Sequence, residues 1–100
     1  MELKKLMENR LLGNPIRLAI MLYLLTRRRV LFKDLQNVLE ITPGNLDSHL
    51  KSLEEYNYIK RGKIFADRPR TAIEITENGV QELVRYMEML KETLGMSTKI

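Results

Sequence analysis

Apolar residues return along this chain with two different periods, and the switches between them mark out the elements. Residues 2–12, ELKKLMENRLL, place Leu3, Leu6, Met7 and Arg10 at helical spacing, with Leu11 and Leu12 closing the pattern. Gly13 stops this helix. Asn14–Pro15 then restarts one, with a capping side chain followed by proline at the first helical position. From Pro15 to about Arg27 the apolar side chains Ile16, Leu18, Ile20, Met21, Leu22, Leu24 and Leu25 nearly surround the axis, which predicts a central core helix. Val30–Leu31–Phe32 is too short and too branched for a helix and reads as a small strand.

From Lys33 to Tyr58 the pattern is two short helices joined by a turn at Glu40, Ile41 and Thr42. The first carries Leu35, Val38 and Leu39 on one face. The second opens at Thr42–Pro43, carries Leu46, Leu50 and Leu53 inward, and runs to about Tyr56. Asn57 stands where a left-handed cap is needed, a conformation Asn tolerates better than most residues. Beyond it, residues 58–66 (YIKRGKIFA) and 71–76 (TAIEIT) read as two strands joined by the polar tip DRPR. Ile73 and Ile75 there alternate with Ala72 and Glu74. Thr76 caps a last helix ending near Gly95, with Val80, Leu83, Val84, Met87, Leu90 and Leu94 in one stripe. The order is α-α-β-α-α-β-β-α, mainly helical with a small β-hairpin. Two helices joined by a tight turn and followed directly by a basic hairpin predict a winged helix-turn-helix.

Composition narrows the class. One hundred residues suit a single domain spanning 1–100, and a hydrophobic fraction of 44% is enough for one core. Cysteine is absent, which removes disulfides, thiolate nucleophiles and cysteine-ligated metals and fits a reducing cytoplasm. The opening MELKKLMENR has no apolar run of signal-peptide length, and no stretch reaches the ~20 apolar residues of a membrane span. A cytoplasmic location without a membrane partner is expected. The net charge of +4 is modest, but its distribution is uneven. Lys60, Arg61, Lys63, Arg68 and Arg70 face only Asp67 between positions 60 and 70, and Arg27, Arg28, Arg29 and Lys33 form a second cluster. Arg27–Arg29 suit a helix C-terminus electrostatically and equally suit contact with phosphates. No Ser-His-Asp spacing, phosphate-binding glycine loop or recurrent carboxylate pair stands out, and His49 is the sole histidine. Neither an enzyme nor a cofactor is expected.

Three blocks carry a family resemblance. LGNPIRLAIMLYL (residues 12–24), ITPGNLDSHLKSLEEYNYIKRGK (41–63) and RPRTAIEITENGVQEL (68–83) resemble, in the right order, the first core helix, the recognition helix with the start of the wing, and the end of the wing with the last helix of MarR- and ArsR-type regulators. The LDSHL form is similar to the small single-domain members found in many archaea. The resemblance implies a sequence-specific DNA-binding regulator of transcription, a repressor, acting as a homodimer. Three departures matter. Asn57 replaces the usual glycine, Asp47 stands where serine is usual, and the absence of a Cys/His cluster removes the metal sensing of some ArsR-type members.

Groove contacts are expected from the side of helix 43–56 opposite its leucines. Asn45 is the best candidate for a base edge, since an amide pairs in a bidentate manner with adenine, and Ser48 continues its face. Thr42, Pro43 and Gly44 form a helix start that either holds a phosphate oxygen or serves capping alone. Lys33 and Lys51 add charge. His49, by its family position, either touches DNA or packs at the junction of helix and wing. Arg68 and Arg70 at the tip, with Arg61 and Lys63 nearer the base, are expected on the flanking minor groove or backbone. The alternative to each of these cations is a solvated surface. Leu3, Leu6 and Met7 of residues 1–12, and Val80, Leu83, Val84, Met87, Leu90 and Leu94 of residues 76–95, are expected to pair two copies. Exposed apolar stripes are uncommon on monomers, and a two-fold axis would set two reading helices about 34 Å apart on a pseudo-palindromic operator. A small-molecule effector, of unknown identity, would bind between the dimer helices and the DNA-binding core. A protein-contact winged helix and a non-specific architectural DNA binder are the competing readings.

Overall fold

The computed structural model describes residues 3–65 and 67–95. The elements run α1 (Leu3–Glu8), α2 (Pro15–Arg27), β1 (Arg29–Leu31), α3 (Phe32–Leu39), α4 (Pro43–Glu55), β2 (Ile59–Phe65), β3 (Pro69–Ile75) and α5 (Glu77–Thr93). Their order and types are those the apolar periods predict.

The first difference is at the start. α1 ends at Glu8, four residues before the expected boundary at residue 12. Asn9 is the cause: its side-chain oxygen accepts from Leu12 N–H (2.9 Å) and its carbonyl from Gly13 N–H (3.0 Å). A side chain that satisfies nearby N–H groups gives the backbone an alternative to the helix, and here it folds residues 10–13 into turns that bury Leu12 completely. The α2 start is as expected. Asn14 accepts from the N–H groups of Ile16 (2.9 Å) and Arg17 (3.1 Å), and Pro15 follows it. Ile20, Met21 and Leu24 are fully buried, and α2 packs on α4, α5, β1 and β3 at once.

The sheet is antiparallel with strand order β1-β3-β2. Val30 lies opposite Ile73, so the short first strand is the third member of the sheet that carries the wing, and Phe32 opens α3 instead of ending β1. Because β3 is the middle strand, Ala72, expected on the open side, is covered between Leu31 and Gly62 and is buried along with Ile73 and Ile75. The tip is also shorter than expected. Pro69 and Arg70 belong to β3, paired with Phe65 and Ile64.

α5 is locked against the junction of α4 and β2. Thr76 Oγ1 accepts from Gly79 N–H (2.9 Å) and donates to the Asn57 carbonyl (2.6 Å), while the Asn78 amide donates to the Tyr56 carbonyl (3.2 Å). A β-carbon on Gly79 would stand 2.2 Å from the Tyr58 carbonyl oxygen, so only glycine permits this approach. The face thereby turned inward is Gly79, Leu83 and Tyr86, all buried. This corrects one expected interface residue: Leu83 has no exposed surface and belongs to the protomer's own core.

Candidate nucleic-acid interface

The helix that sequence singles out, α4, is built to be rigid. Thr42 Oγ1 accepts from Asn45 N–H (3.1 Å), Pro43 brings no N–H to satisfy, and Leu46, Leu50 and Leu53 are fully buried. Each such leucine contributes on the order of 1.5–3 kcal/mol. At its other end Asn57 takes the left-handed conformation expected of it (φ 60°), and Glu40 does the same at the end of α3 (φ 53°) to make the turn between the helices.

Two arginines from different elements hold the flanks of α4. On the wing side, Arg61 of β2 reaches Asp47 Oδ1 (2.6 Å) and Glu54 Oε1 (2.8 Å from Nε, 2.6 Å from Nη2). Lys51 adds a second cation to Asp47 at 3.3 Å. The bonds to Arg61, then Lys51, hold the Asp47 carboxyl below the usual carboxylate range. On the opposite flank Arg17 of α2 donates to the Leu11 carbonyl (2.8 Å) and the Arg10 carbonyl (3.2 Å), and its Nη1 lies 3.2 Å from His49 Nδ1. Burial first, and the Arg17 charge second, hold His49 below the usual histidine range.

These contacts sort the expected DNA-facing residues. Gly44, Asn45, Ser48 and Lys51 lie exposed along the side of α4 away from its leucines. The Asn45 N–H is taken by the Thr42 cap, which leaves Gly44 N–H as the donor without a partner among the described residues at this helix start. Arg61 departs from expectation: its side chain is 20% exposed and fully engaged, so it ties the wing to α4 rather than standing free at the wing base. His49 packs against α2, not at the junction of helix and wing. Lys63 and Arg68 are exposed on the wing, while Arg70 lies half-buried in β3 and pairs with Asp67 at 3.3 Å. Lys33, at the start of α3, joins Arg68 and Arg70 around a cleft of about 360 Å³ between that helix and the wing. Of the Arg27–Arg29 run, Arg27 stacks on the Tyr23 ring, 3.8 Å from its centroid, and Arg29 lies in β1 opposite Glu74.

Sequence reasoning passed over Arg17 and Glu54, because their roles depend on partners 32 and 7 residues away on other elements. It also passed over Phe65, 77% exposed among the wing cations. The i,i+4 spacing of Asp47 and Lys51 was the one local sign of the wing-side network. On the terminal helices, Leu3 (50%), Met7 (77%), Val84 (45%) and Leu94 (69%) are exposed, whereas Leu6, Val80, Met87 and Leu90 pack partly on the core. No helix among the described residues is long and apolar enough to cross a membrane.

The arrangement has known counterparts. The family described as winged helix DNA-binding domain matches residues 16–94. An uncharacterised protein of Methanocaldococcus jannaschii is 30% identical over 92 residues, covering 91% of this chain and 97% of the relative. The structure of a transcriptional regulator homologue from Pyrococcus horikoshii is similar with a TM-score of 0.91 and 49% identity, over 94% of both chains. A MarR mutant from E. coli shares the fold at a TM-score of 0.74 and 15% identity, over 87% of this chain and 67% of its own. The chain belongs to the winged helix DNA-binding domain family and has the fold of MarR-like transcriptional regulators.

Proposed function

We propose that this protein is a homodimeric, sequence-specific regulator of transcription, a repressor, that sets α4 in the major groove and lays its wing along the flanking minor groove or backbone. The observation that carries this reading is the state of α4. Its inner face is locked by leucines, both flanks are held by arginines, and its outward side offers Gly44, Asn45, Ser48 and Lys51. A reading helix needs that rigidity, because base-edge hydrogen bonds discriminate only when the donor cannot relax toward a wrong base. Lys33, Lys63, Arg68 and Arg70 would supply phosphate contacts, which position the protein without reading sequence.

The whole chain, 1–100, acts in this reading as one winged-helix domain whose terminal helices pair two copies. Four large apolar side chains left exposed on α1 and at α5 support that pairing: Leu3, Met7, Val84 and Leu94. A cleft of about 500 Å³ edged by Arg10, Tyr56, Tyr58, Arg85 and Met89 lies between those helices and the junction that follows α4, where a small ligand would touch both. The deciding experiment is selection of bound fragments from genomic DNA by the full chain. Enrichment of a common pseudo-palindromic site is expected. Retention of fragments with no preference over bulk DNA would support an architectural binder instead, and retention of none would support a protein-contact module.

A further inference from the structure

We infer that Arg17 is a positioning residue for DNA reading: it fixes the His49 imidazole as a hydrogen-bond donor through Nε2, so that His49 selects acceptor atoms on a base edge. The inference rests on the reading that α4 enters a major groove.

The geometry leaves one tautomer. A guanidinium has five N–H donors and no acceptor, so a 3.2 Å contact from Arg17 Nη1 to His49 Nδ1 requires a lone pair on Nδ1. In the neutral ring the proton then sits on Nε2. A protonated ring would carry hydrogen on both nitrogens and turn one of them, with its charge, toward a cation. The lowered pKa of His49 agrees with a ring kept neutral. Arg17 is itself anchored, since the bonds from Nε to the Leu11 carbonyl and from Nη2 to the Arg10 carbonyl leave the guanidinium little freedom. Those carbonyls belong to the turn that Asn9 creates after α1, and Asn14 fixes the start of the helix that carries Arg17. The chain of cause runs from two asparagine caps through one arginine to one imidazole.

Nε2 makes no hydrogen bond among the described residues. His49 lies one turn beyond Asn45, four residues on, so the two side chains share an edge of α4. A neutral ring donating from Nε2 suits guanine N7 or O6, adenine N7 or thymine O4, and it cannot accept from the amino groups of cytosine or adenine. Arg17 touches no base in this scheme; it decides what His49 can recognise.

One histidine in the chain makes the test clean. Nitrogen-15 spectra of the full-length protein should show the Nε2–H tautomer at neutral pH, with a titration midpoint below that of an ordinary histidine. In Arg17→Gln the midpoint should rise and the tautomers should mix, and Arg17→Lys should restore the wild-type pattern in part. Binding is read in parallel on a duplex selected by the wild-type protein and on bulk DNA. Arg17→Gln should lower the preference for the selected duplex by roughly two- to tenfold, the worth of one hydrogen bond, while bulk affinity changes little. An Nδ1–H ring in the wild type, or a ring indifferent to Arg17→Gln, overturns the positioning. An equal loss on both DNAs overturns its role in selectivity. Failure of the wild-type protein to bind any duplex overturns the DNA reading itself, whatever the ring spectra show.

Discussion

Among the described residues, three other than glycine hold positive φ: Arg28 (70°), Glu40 (53°) and Asn57 (60°). Side chains with a β-carbon pay roughly 1–2 kcal/mol in the left-handed region, with Asn paying least because its short amide bonds locally. Glu40 has no such relief, so Glu40→Gly should raise stability in urea denaturation by up to about 1 kcal/mol while the turn before α4 is kept. Asn57→Val should lose about 1–2 kcal/mol by the same argument in reverse. Gly79 makes the opposite demand. Its φ is ordinary, but a methyl group there would press into the Tyr58 carbonyl at 2.2 Å, and that atom is backbone that cannot swing aside. Gly79→Ala should therefore cost on the order of 1–3 kcal/mol, read in the same denaturation series. A smaller loss would mean that α5 can slide on the α4–β2 junction.

Between elements, the contact that matters most to the site is Arg61 between β2 and α4. It bridges the carboxylates of Asp47 and Glu54, and it makes the wing base and α4 one body. Arg61→Gln should speed amide hydrogen exchange in β2 and at the α4 residues around Asp47 and Glu54, and leave α2 unaffected. Unchanged exchange in β2 would show that strand pairing alone fixes the wing. The charge sign also gives a pH dependence. The Asp47 carboxyl is lowered by its partners in the folded state, so its contribution is present above the ordinary carboxylate pKa of about 4 and is lost as pH falls through the lowered value. The carbon-13 titration of Asp47 should move up toward the ordinary range in Arg61→Gln.

For the whole molecule, the proposed pairing of two copies rests on the exposed apolar side chains of α1 and at α5. Met7→Asp combined with Val84→Asp changes two exposed positions, so the helical content should persist while light-scattering mass falls from dimer to monomer. An unchanged mass would move the pairing surface elsewhere. The salt dependence follows from the same assembly. A dimer that neutralises ~6–10 phosphates should lose about 10³–10⁵ in duplex affinity between roughly 50 and 200 mM salt, and a monomeric variant should show a shallower slope.

The sequence alone determined the element order, the caps at Asn14, Thr42, Asn57 and Thr76, and the buried leucines of α4, because each depends on residues within a turn or two of one another. Local hydrogen bonds and helical periodicity are legible without knowing the partner. The family was legible too, from three motifs in order. Tertiary structure decided what no local pattern encodes. It placed β1 beside β3, turned the Gly79–Leu83–Tyr86 face of α5 inward and thereby moved Leu83 from the expected interface into the core. It also gave Arg61 to Asp47 and Glu54, and His49 to Arg17. A charged side chain is read from sequence only as a charge; whether it is free for a phosphate or spent on holding a helix depends on which carboxylate or imidazole the fold brings within about 3 Å.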